Sequence, residues 1–270
     1  MTLNLRRYAA PALAGALLAV LLGPSAAAAQ PPQGPVAAPP AALAPAPAFW
    51  ELISGYEGDT HGSGYGFFGP SYVRPIRPGL AWTARASANY LSYQFSGLDG
   101  ATRVRSPGVG AAAGLRFGGT NFFSISAGPE VRWRRTSLTP TGGGLDTHRD
   151  TRLGVNIGAE LYANPTSHNN VQAIANYNTA DSYTWGRLGF KEQITNKAWE
   201  GPNTAFVGVE GIGQGNEDIR SAQAGAFVEY TRVPANVSIV IKAGYKRSTF
   251  VVGPALTGPY FSVGFYHRLR

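Results

Sequence analysis

The sequence predicts an all-β fold: an antiparallel, up-and-down transmembrane β-barrel of about 12 strands, preceded by a signal peptide and an Ala/Pro-rich linker. Segments of roughly ten residues alternate between apolar and polar side chains. Aromatic residues bracket the apolar face of some of these segments. Short stretches of Gly, Asn, Pro and Asp separate one segment from the next. This combination is typical of a sheet whose apolar face contacts lipid and whose polar face lines a lumen.

The N-terminal region has the features of an export signal. Arg6 and Arg7 precede a short apolar segment at residues 9–22, and the A-x-A-like cleavage site Ala27-Ala28-Ala29 follows. The alternative, an uncleaved membrane anchor, needs about 20 apolar residues. We therefore predict a signal peptide at residues 1–29. Residues 30–48 are rich in Pro and Ala and predict an extended, disordered linker, which leaves 49–270 for the barrel.

The apolar faces of the predicted strands match the thickness of a membrane. Trp82 and Tyr90 bracket a face that holds only alanine between them, and Phe123 and Trp133 bracket another. Eight residues at about 3.3 Å each span about 26 Å, close to the ~25 Å height of a lipid-facing band. A soluble β-sandwich also alternates, but its core needs larger side chains than Ala and Gly. The pattern favours the barrel.

Turn signals divide the barrel region into its strands. They occur, in order, at GDTHGS, RPIRPG, SGLDGA, GGTN, SLTPTGGGLDTH, NPTSHN, TADS, ITNKAWEGPN, GQGNED, RVPAN and STFVVGPALTG. Twelve strands result. Because this number is even, both termini are predicted to lie on the periplasmic side, and the longest Gly-rich loop, at 137–148, is predicted to lie outside.

Glu210 lies in an apolar strand, where Ala205, Val207 and Val209 share the outward face, so its carboxylate is predicted to point inward. The same alternation predicts a charge network in the lumen, in which acids pair with Arg and Lys. Its candidate members are Arg85, Glu130, Arg132, Arg134, Glu160, Arg187, Glu210, Glu229 and Lys242. Two interpretations stay open: charges that brace a narrow barrel, or a mildly basic lumen that prefers anionic solutes.

Composition and motifs argue against several function classes. The formal charge is +8, without the clustering that nucleic-acid binding requires, and the chain has no Cys. No HExxH, GxSxG or P-loop motif occurs, so no catalytic residue, metal or cofactor is predicted. The enzyme alternative is a glucan hydrolase, which needs two carboxylates about 5–9.5 Å apart. Glu210 and Glu229, on adjacent predicted strands, are the pair that could supply them.

Short Gly-rich motifs give the sequence a family resemblance. They are Ala159-Glu160-Leu161-Tyr162-Ala163-Asn164-Pro165, Tyr183-Thr184-Trp185-Gly186-Arg187, Gly208-Val209-Glu210-Gly211 with Gly215-Asn216, Gly225-Ala226-Phe227, Ser54-Gly55-Tyr56 and Gly128-Pro129-Glu130. With these motifs the chain resembles the cellulose biosynthesis protein BcsS family of alphaproteobacteria. The resemblance implies a role with a bacterial cellulose synthase system at the outer membrane. It implies no catalytic residues.

We therefore expect a non-enzymatic barrel of the bacterial outer membrane that serves cellulose export as a port or a scaffold. Its expected partners are outer-membrane lipid and either cellulose synthase components or a glucan chain, and not nucleic acid. Candidate sugar contacts are the inward aromatics Tyr183, Trp185 and Tyr266. The alternatives are a general small porin-like channel and a structural or adhesive outer-membrane protein.

Overall fold

The computed structural model describes residues 47–97, 100–118, 123–140, 143–163, 168–195, 203–250 and 254–269. These residues form twelve strands and one 3-10 turn at Val233–Ala235. The strands are β1 (Phe49–Asp59), β2 (Gly64–Arg77), β3 (Leu80–Gly97), β4 (Gly100–Gly118), β5 (Phe123–Pro140), β6 (Asp146–Ala163), β7 (Asn169–Asn178), β8 (Tyr183–Gln193), β9 (Asn203–Gly215), β10 (Ile219–Arg232), β11 (Val237–Phe250) and β12 (Leu256–Leu269). The predicted signal peptide and nearly all of the predicted linker lie outside the described residues.

The strands form one closed, antiparallel, up-and-down barrel, which confirms the predicted fold class. Each strand pairs with its neighbours in the chain, and β1 pairs with β12 to close the sheet. Closure leaves no unpaired edge strand. Tight turns connect consecutive strands, so that neighbours in the chain are also neighbours in the sheet. Gly79 (φ 74°) and Asn236 (φ 50°) adopt the left-handed conformation that such turns need. Within the described ranges, no helix is long and apolar enough to cross a membrane.

The outward face of the barrel is apolar. Leu153 is 82% exposed and Val209 is 58% exposed, which suits contact with hydrocarbon rather than water. Trp82 and Trp133 stand at opposite ends of the apolar faces of β3 and β5 and contribute to the two aromatic girdles. The closed sheet satisfies the backbone hydrogen bonds within the membrane. The protein is therefore an integral protein of the bacterial outer membrane.

Packing is concentrated on the inner face. The buried apolar side chains Val73, Val104, Phe206 and Phe227 all point into the lumen, among charged and amide side chains. This arrangement reverses that of a soluble protein, because the solvent outside the barrel wall is lipid. The interior therefore holds both the tightest packing and the chemistry of the molecule.

The predicted loop at 137–148 is wrong in extent. β5 continues to Pro140 and β6 begins at Asp146, so most of this segment is strand. Alternating Ser and Thr side chains suit strands, and Ser137 Oγ lies 3.4 Å from Thr147 Oγ1 across the two strands. Strands β3 to β6 are 18 or 19 residues long, whereas β7 has 10. The sheet therefore extends beyond the membrane at the end opposite the termini.

Candidate functional site

The inner face of the barrel carries most of its charged side chains. Alternation puts every second residue of each strand into the lumen, as the registers of β9 with β8 and β10 show for Glu210. In a low-dielectric interior, each such charge needs a partner of opposite sign. The structure arranges these charges in two main clusters and several separate pairs.

The first cluster, which we call the Glu130 cluster, lies between β5, β6 and the β7–β8 turn. The Glu130 carboxylate accepts a hydrogen bond of 2.7 Å from Arg132 Nε and one from the buried Asn178 amide, and it lies 3.8 Å from Arg85. Its side chain is only 2% exposed. Asp181, in the turn, lies 3.0 Å from Arg132 Nη1. Two cations thus offset the charge of the buried carboxylate, and an amide donates a further hydrogen bond to it.

Asp181 also gathers two other arginines at the same end of the lumen. Arg134 Nη2 and Arg152 Nη1 each lie 3.6 Å from Asp181 Oδ1. The turn is held in place because the Asp181 backbone N–H donates to Asn178 Oδ1 over 3.2 Å. A residue of the predicted TADS turn is therefore part of the charge network. Alternation could not identify it, because the rule applies only to strands.

The second cluster, the Glu210 cluster, crosses the opposite wall. Glu210 Oε2 accepts hydrogen bonds from Arg187 Nε at 2.5 Å and from Lys242 Nζ at 2.9 Å. The Glu210 side chain is 0% exposed. Arg187 also donates to Gln172 Oε1 at 2.7 Å and lies over the Phe227 ring, 5.3 Å from its centroid. Strands β7 to β11 are thereby joined through one carboxylate and its partners.

Further pairs connect strands that are not neighbours in the sheet. Lys246 on β11 donates to Glu57 on β1 at 2.7 Å, and Gln223 on β10 donates to the same oxygen at 2.8 Å. Arg116 on β4 contacts Glu51 on β1 at 3.5 Å. Each contact skips one or two intervening strands, so these side chains extend from the wall into the lumen.

Some members of this network are not among the predicted residues, and others have unexpected partners. Lys191 pairs with Glu229 at 2.7 Å. Glu160 faces the lumen but has no cation within 4.0 Å among the described residues. The acids of β1 were missed, although they show a simple signal: they share parity with one another and alternate with Trp50 and Tyr56. These acids are Glu51, Glu57 and Asp59.

The missed acids correct the prediction of a mildly basic lumen. The β1 carboxylates and Asp181 offset the excess of cations expected from the other strands. Glu210 and Glu229 also do not form a hydrolase-like pair. Glu229 lies opposite Phe206, four residues from Glu210 along β9. That offset is about 13 Å at ~3.3 Å per residue, beyond the range for glycoside hydrolysis. Each carboxylate is instead paired with its own cation.

The three candidate sugar-contact aromatics do not form one continuous surface. Tyr183 and Trp185 lie at the outer end of β8, and the Tyr183 hydroxyl donates to Gln214 Oε1 at 2.8 Å. Tyr266 lies near the opposite end and donates to Glu51 at 3.3 Å. Alternation gave their inward direction but not their height in the barrel, because height depends on strand register.

Aromatic side chains that the sequence analysis did not single out cross the outer end of the lumen. Tyr93 on β3 stacks on Phe250 on β11 with 5.8 Å between ring centroids, although three strands separate β3 from β11 in the sheet. Tyr65 on β2 stacks on Phe67 with 5.9 Å between ring centroids. The Tyr93–Phe250 contact narrows the outer mouth.

One cavity in the lumen is small. A cavity of about 70 Å³ lies between the Arg85 and Arg116 side chains and the wall near Ala112. Pockets that bind small molecules typically measure ~300–1,000 Å³, so this space holds only a few water molecules. Among the described residues, no group of three His, Cys, Asp or Glu side chains could hold a metal ion.

Several solved structures share this architecture. The chain is 15% identical to the β domain of the Bordetella autotransporter BrkA, with a TM-score of 0.43, covering 82% of this chain and 98% of that one. The chain is 10% identical to LpxR from Salmonella typhimurium, with a TM-score of 0.47, and the match covers 80% of this chain and 99% of that one. It is 12% identical to an outer membrane channel from Pseudomonas putida F1, with a TM-score of 0.47, and the match covers 87% of this chain and 100% of that one. No curated protein matches the chain.

The family comparison covers most of the barrel. The model of the cellulose biosynthesis protein BcsS family matches residues 77–270, from the end of β2 to the C-terminal residue. The matched range includes both charge clusters, with Glu130 and Glu210 at their centres. The chain therefore belongs to the cellulose biosynthesis protein BcsS family.

Proposed function

We propose that this barrel serves cellulose biosynthesis as a closed, non-enzymatic scaffold at the outer membrane, rather than as an open port. The observation that carries the proposal is the occupied lumen. Ion pairs join strands across it, and aromatic rings cross its outer end. Family membership supplies the cellulose system, and the side chains in the lumen favour a scaffold over a port.

Opening the lumen would require the ion pairs within each of the two clusters to break. The Glu130 and Glu210 carboxylates are almost entirely removed from solvent, and each holds two cations. Leaving a buried charge without its partner costs about 3–5 kcal/mol. A glucan chain is neutral and cannot replace these partners with charges of its own. The closed form is therefore favoured unless another component drives a rearrangement.

The aromatic side chains also favour a scaffold. A glucan port would need stacking surfaces that follow one another along the lumen. Tyr183 and Trp185 lie at one end and Tyr266 at the other, and the Glu210 cluster lies between these ends. In this proposal the barrel anchors a surface, and the segment before β1 meets synthase components in the periplasm.

The first test is a deletion strain assayed for extracellular cellulose by dye binding and by acid-resistant glucan. We expect cellulose to fall and the plasmid-borne gene to restore it. Unchanged cellulose, under conditions in which the synthase is active, would contradict a role in cellulose biosynthesis altogether.

The second test separates scaffold from port with a matched pair of substitutions. Ala112 faces the lumen and lines its cavity, whereas Ala111 faces lipid on the same strand. A closed scaffold predicts that Ala112→Phe and Ala111→Phe restore cellulose equally in the deletion strain. A port predicts that only Ala112→Phe fails. A difference in SDS-gel migration between unheated and boiled samples checks that both barrels are folded.

A further inference from the structure

The outer wall of the barrel carries arginines at the end opposite the termini. Their side chains share the parity of the lipid-facing residues, so they point outward and not into the lumen. A contiguous group lies on the adjacent strands β4, β5 and β6. We call this group the arginine patch; it consists of Arg103, Arg105, Arg135 and Arg149.

The patch lies just beyond the apolar band. On β5 the outward face extends from Phe123 to Trp133, and Arg135 is the next outward residue. Ten residues at ~3.3 Å, tilted by ~40°, rise roughly 25 Å, which is the height of the band. Arg149 lies directly opposite Arg135, and Arg105 lies opposite Ser137, the next outward residue of β5. The guanidinium groups are therefore at the level of lipid headgroups in the outer leaflet.

The local electrostatics are unfavourable without an anion. Arg135 and Arg149 are direct cross-strand partners on the same face, an arrangement that destabilises paired strands. Among the described residues, no carboxylate lies within 4.0 Å of any arginine of the patch, whereas Arg132 and Arg187 in the lumen are both paired. Glu192, the acid that faces outward on a described strand, lies near the other end of the barrel.

We propose that the arginine patch binds the phosphate groups of a phosphorylated glycolipid, of the lipid A type, in the outer leaflet. Arginine binds phosphate through paired, charge-assisted hydrogen bonds. The wall directly below the patch is apolar, with Trp133 and Leu153 exposed to the bilayer. A ligand that fits both parts has acyl chains in the membrane and an anionic head above them.

Two features favour this lipid over a soluble anion or a protein. The patch extends over three strands, so it can contact more than one phosphate on a broad headgroup. It also continues directly into the lipid-facing surface, whereas a protein partner would have to displace lipid. Polar side chains lie between the arginines and can hydrogen-bond to sugar hydroxyls. They are Ser137, Thr139, Thr147 and Thr151.

The test measures binding of bisphosphorylated lipid A to the purified full chain in detergent. The variant Arg135→Gln/Arg149→Gln removes two charges from the patch. The matched control, Arg74→Gln/Arg232→Gln, removes two outward charges from the other end of the barrel. We expect at least a tenfold loss of affinity for the patch variant, affinity close to wild type for the control, and weaker wild-type binding at high salt. Equal affinity of both variants would overturn the proposal.

Two further arms distinguish this lipid from other anions and from a purely structural role. Dephosphorylated lipid A and phosphatidylglycerol should both bind at least tenfold more weakly than the bisphosphorylated form. Equal binding of either lipid would contradict the assignment. Without lipid, Arg135→Gln should unfold at the same temperature as the wild type or a higher one, because it relieves the Arg135–Arg149 repulsion. A lower unfolding temperature would instead indicate a structural arginine.

Discussion

At the scale of single residues, Glu210 explains why an apolar strand contains a carboxylate. Its neighbours in sequence face lipid, while its own side chain is buried between Arg187 and Lys242. The carboxylate on β9 contacts cations on β8, its direct neighbour, and on β11, which the backbone ladder reaches only through β10. A buried charge of this kind is costly alone and favourable only with its partners in place.

Replacing Glu210 should therefore destabilise the barrel strongly. Glu210→Gln leaves Arg187 and Lys242 buried without a carboxylate, and we expect a loss of about 3–5 kcal/mol in the free energy of unfolding. Urea unfolding in lipid vesicles, followed by tryptophan fluorescence, measures it. The control is Glu192→Gln, an exposed outward position, where the change should stay within about 0.5 kcal/mol. Similar effects of the two substitutions would show that the cluster adds nothing.

The effects of substitutions at Lys242 and Glu210 on the free energy of unfolding should not be additive. Lys242→Met in the wild type breaks an ion pair, but in Glu210→Gln it removes a cation that has lost its partner. We expect the double variant to be more stable than the sum of the single effects predicts, by about 1–3 kcal/mol. Additive effects in the same urea titration would mean that Lys242 and Glu210 are not coupled.

At the scale of elements, paired glycines allow two strands to approach closely at one place. Gly225 on β10 and Gly244 on β11 are cross-strand partners that face the lumen. A Cβ on Gly244 would collide with the backbone of Ala224 and Gly225, and one on Gly225 would collide with the Tyr260 hydroxyl. Glycine at both positions permits a close approach that other residues would prevent.

Substitution at this close approach should be costly even with the smallest side chain. Gly244→Ala should lower the free energy of unfolding by about 1–3 kcal/mol, because backbone atoms have to move apart. Gly213→Ala on β9 is the matched control, since a Cβ there meets nothing within 4 Å; it should be neutral or slightly stabilising. Urea unfolding of the two variants compares them, and equal losses would argue against a tight contact at Gly244.

At the scale of the whole molecule, the barrel consists of a lipid-facing wall around an occupied interior. The outward face is apolar and contacts lipid. The inward face carries ion pairs and aromatic rings that fill space otherwise open to water. A barrel of this strand number could hold an open channel only if these side chains withdrew from the lumen. Each strand therefore needs apolar side chains on its outward face and polar or aromatic side chains on its inward face.

This architecture predicts the electrical behaviour of the purified protein. In planar bilayers the wild-type chain should keep the membrane sealed, without stepwise conductance, because the lumen is crossed at several levels. A known porin prepared in the same way is the positive control. Regular conductance steps from the pure protein would favour the channel alternative and contradict the closed scaffold.

Alternation and turn chemistry made most of the wall predictable. The alternation of β3, β5 and β6 correctly separated outward residues such as Trp82 from inward residues such as Glu130. The TADS turn matched the gap between β7 and β8. The segment 137–148 failed, because its glycines suggested a loop while its Ser and Thr side chains continued the strands. Whether a polar segment forms a strand depends on whether a neighbouring strand is in position to hydrogen-bond with it.

The sequence by itself determined the barrel, its strand number and the face on which each strand side chain lies, because these follow from a local period of two and from local turns. Only the tertiary structure decided which charges meet, that Asp181 joins them from a turn, and that rings cross the mouth. It also placed Arg135 opposite Arg149. Those contacts depend on strand register and barrel width, which are properties of the closed sheet and not of any one strand.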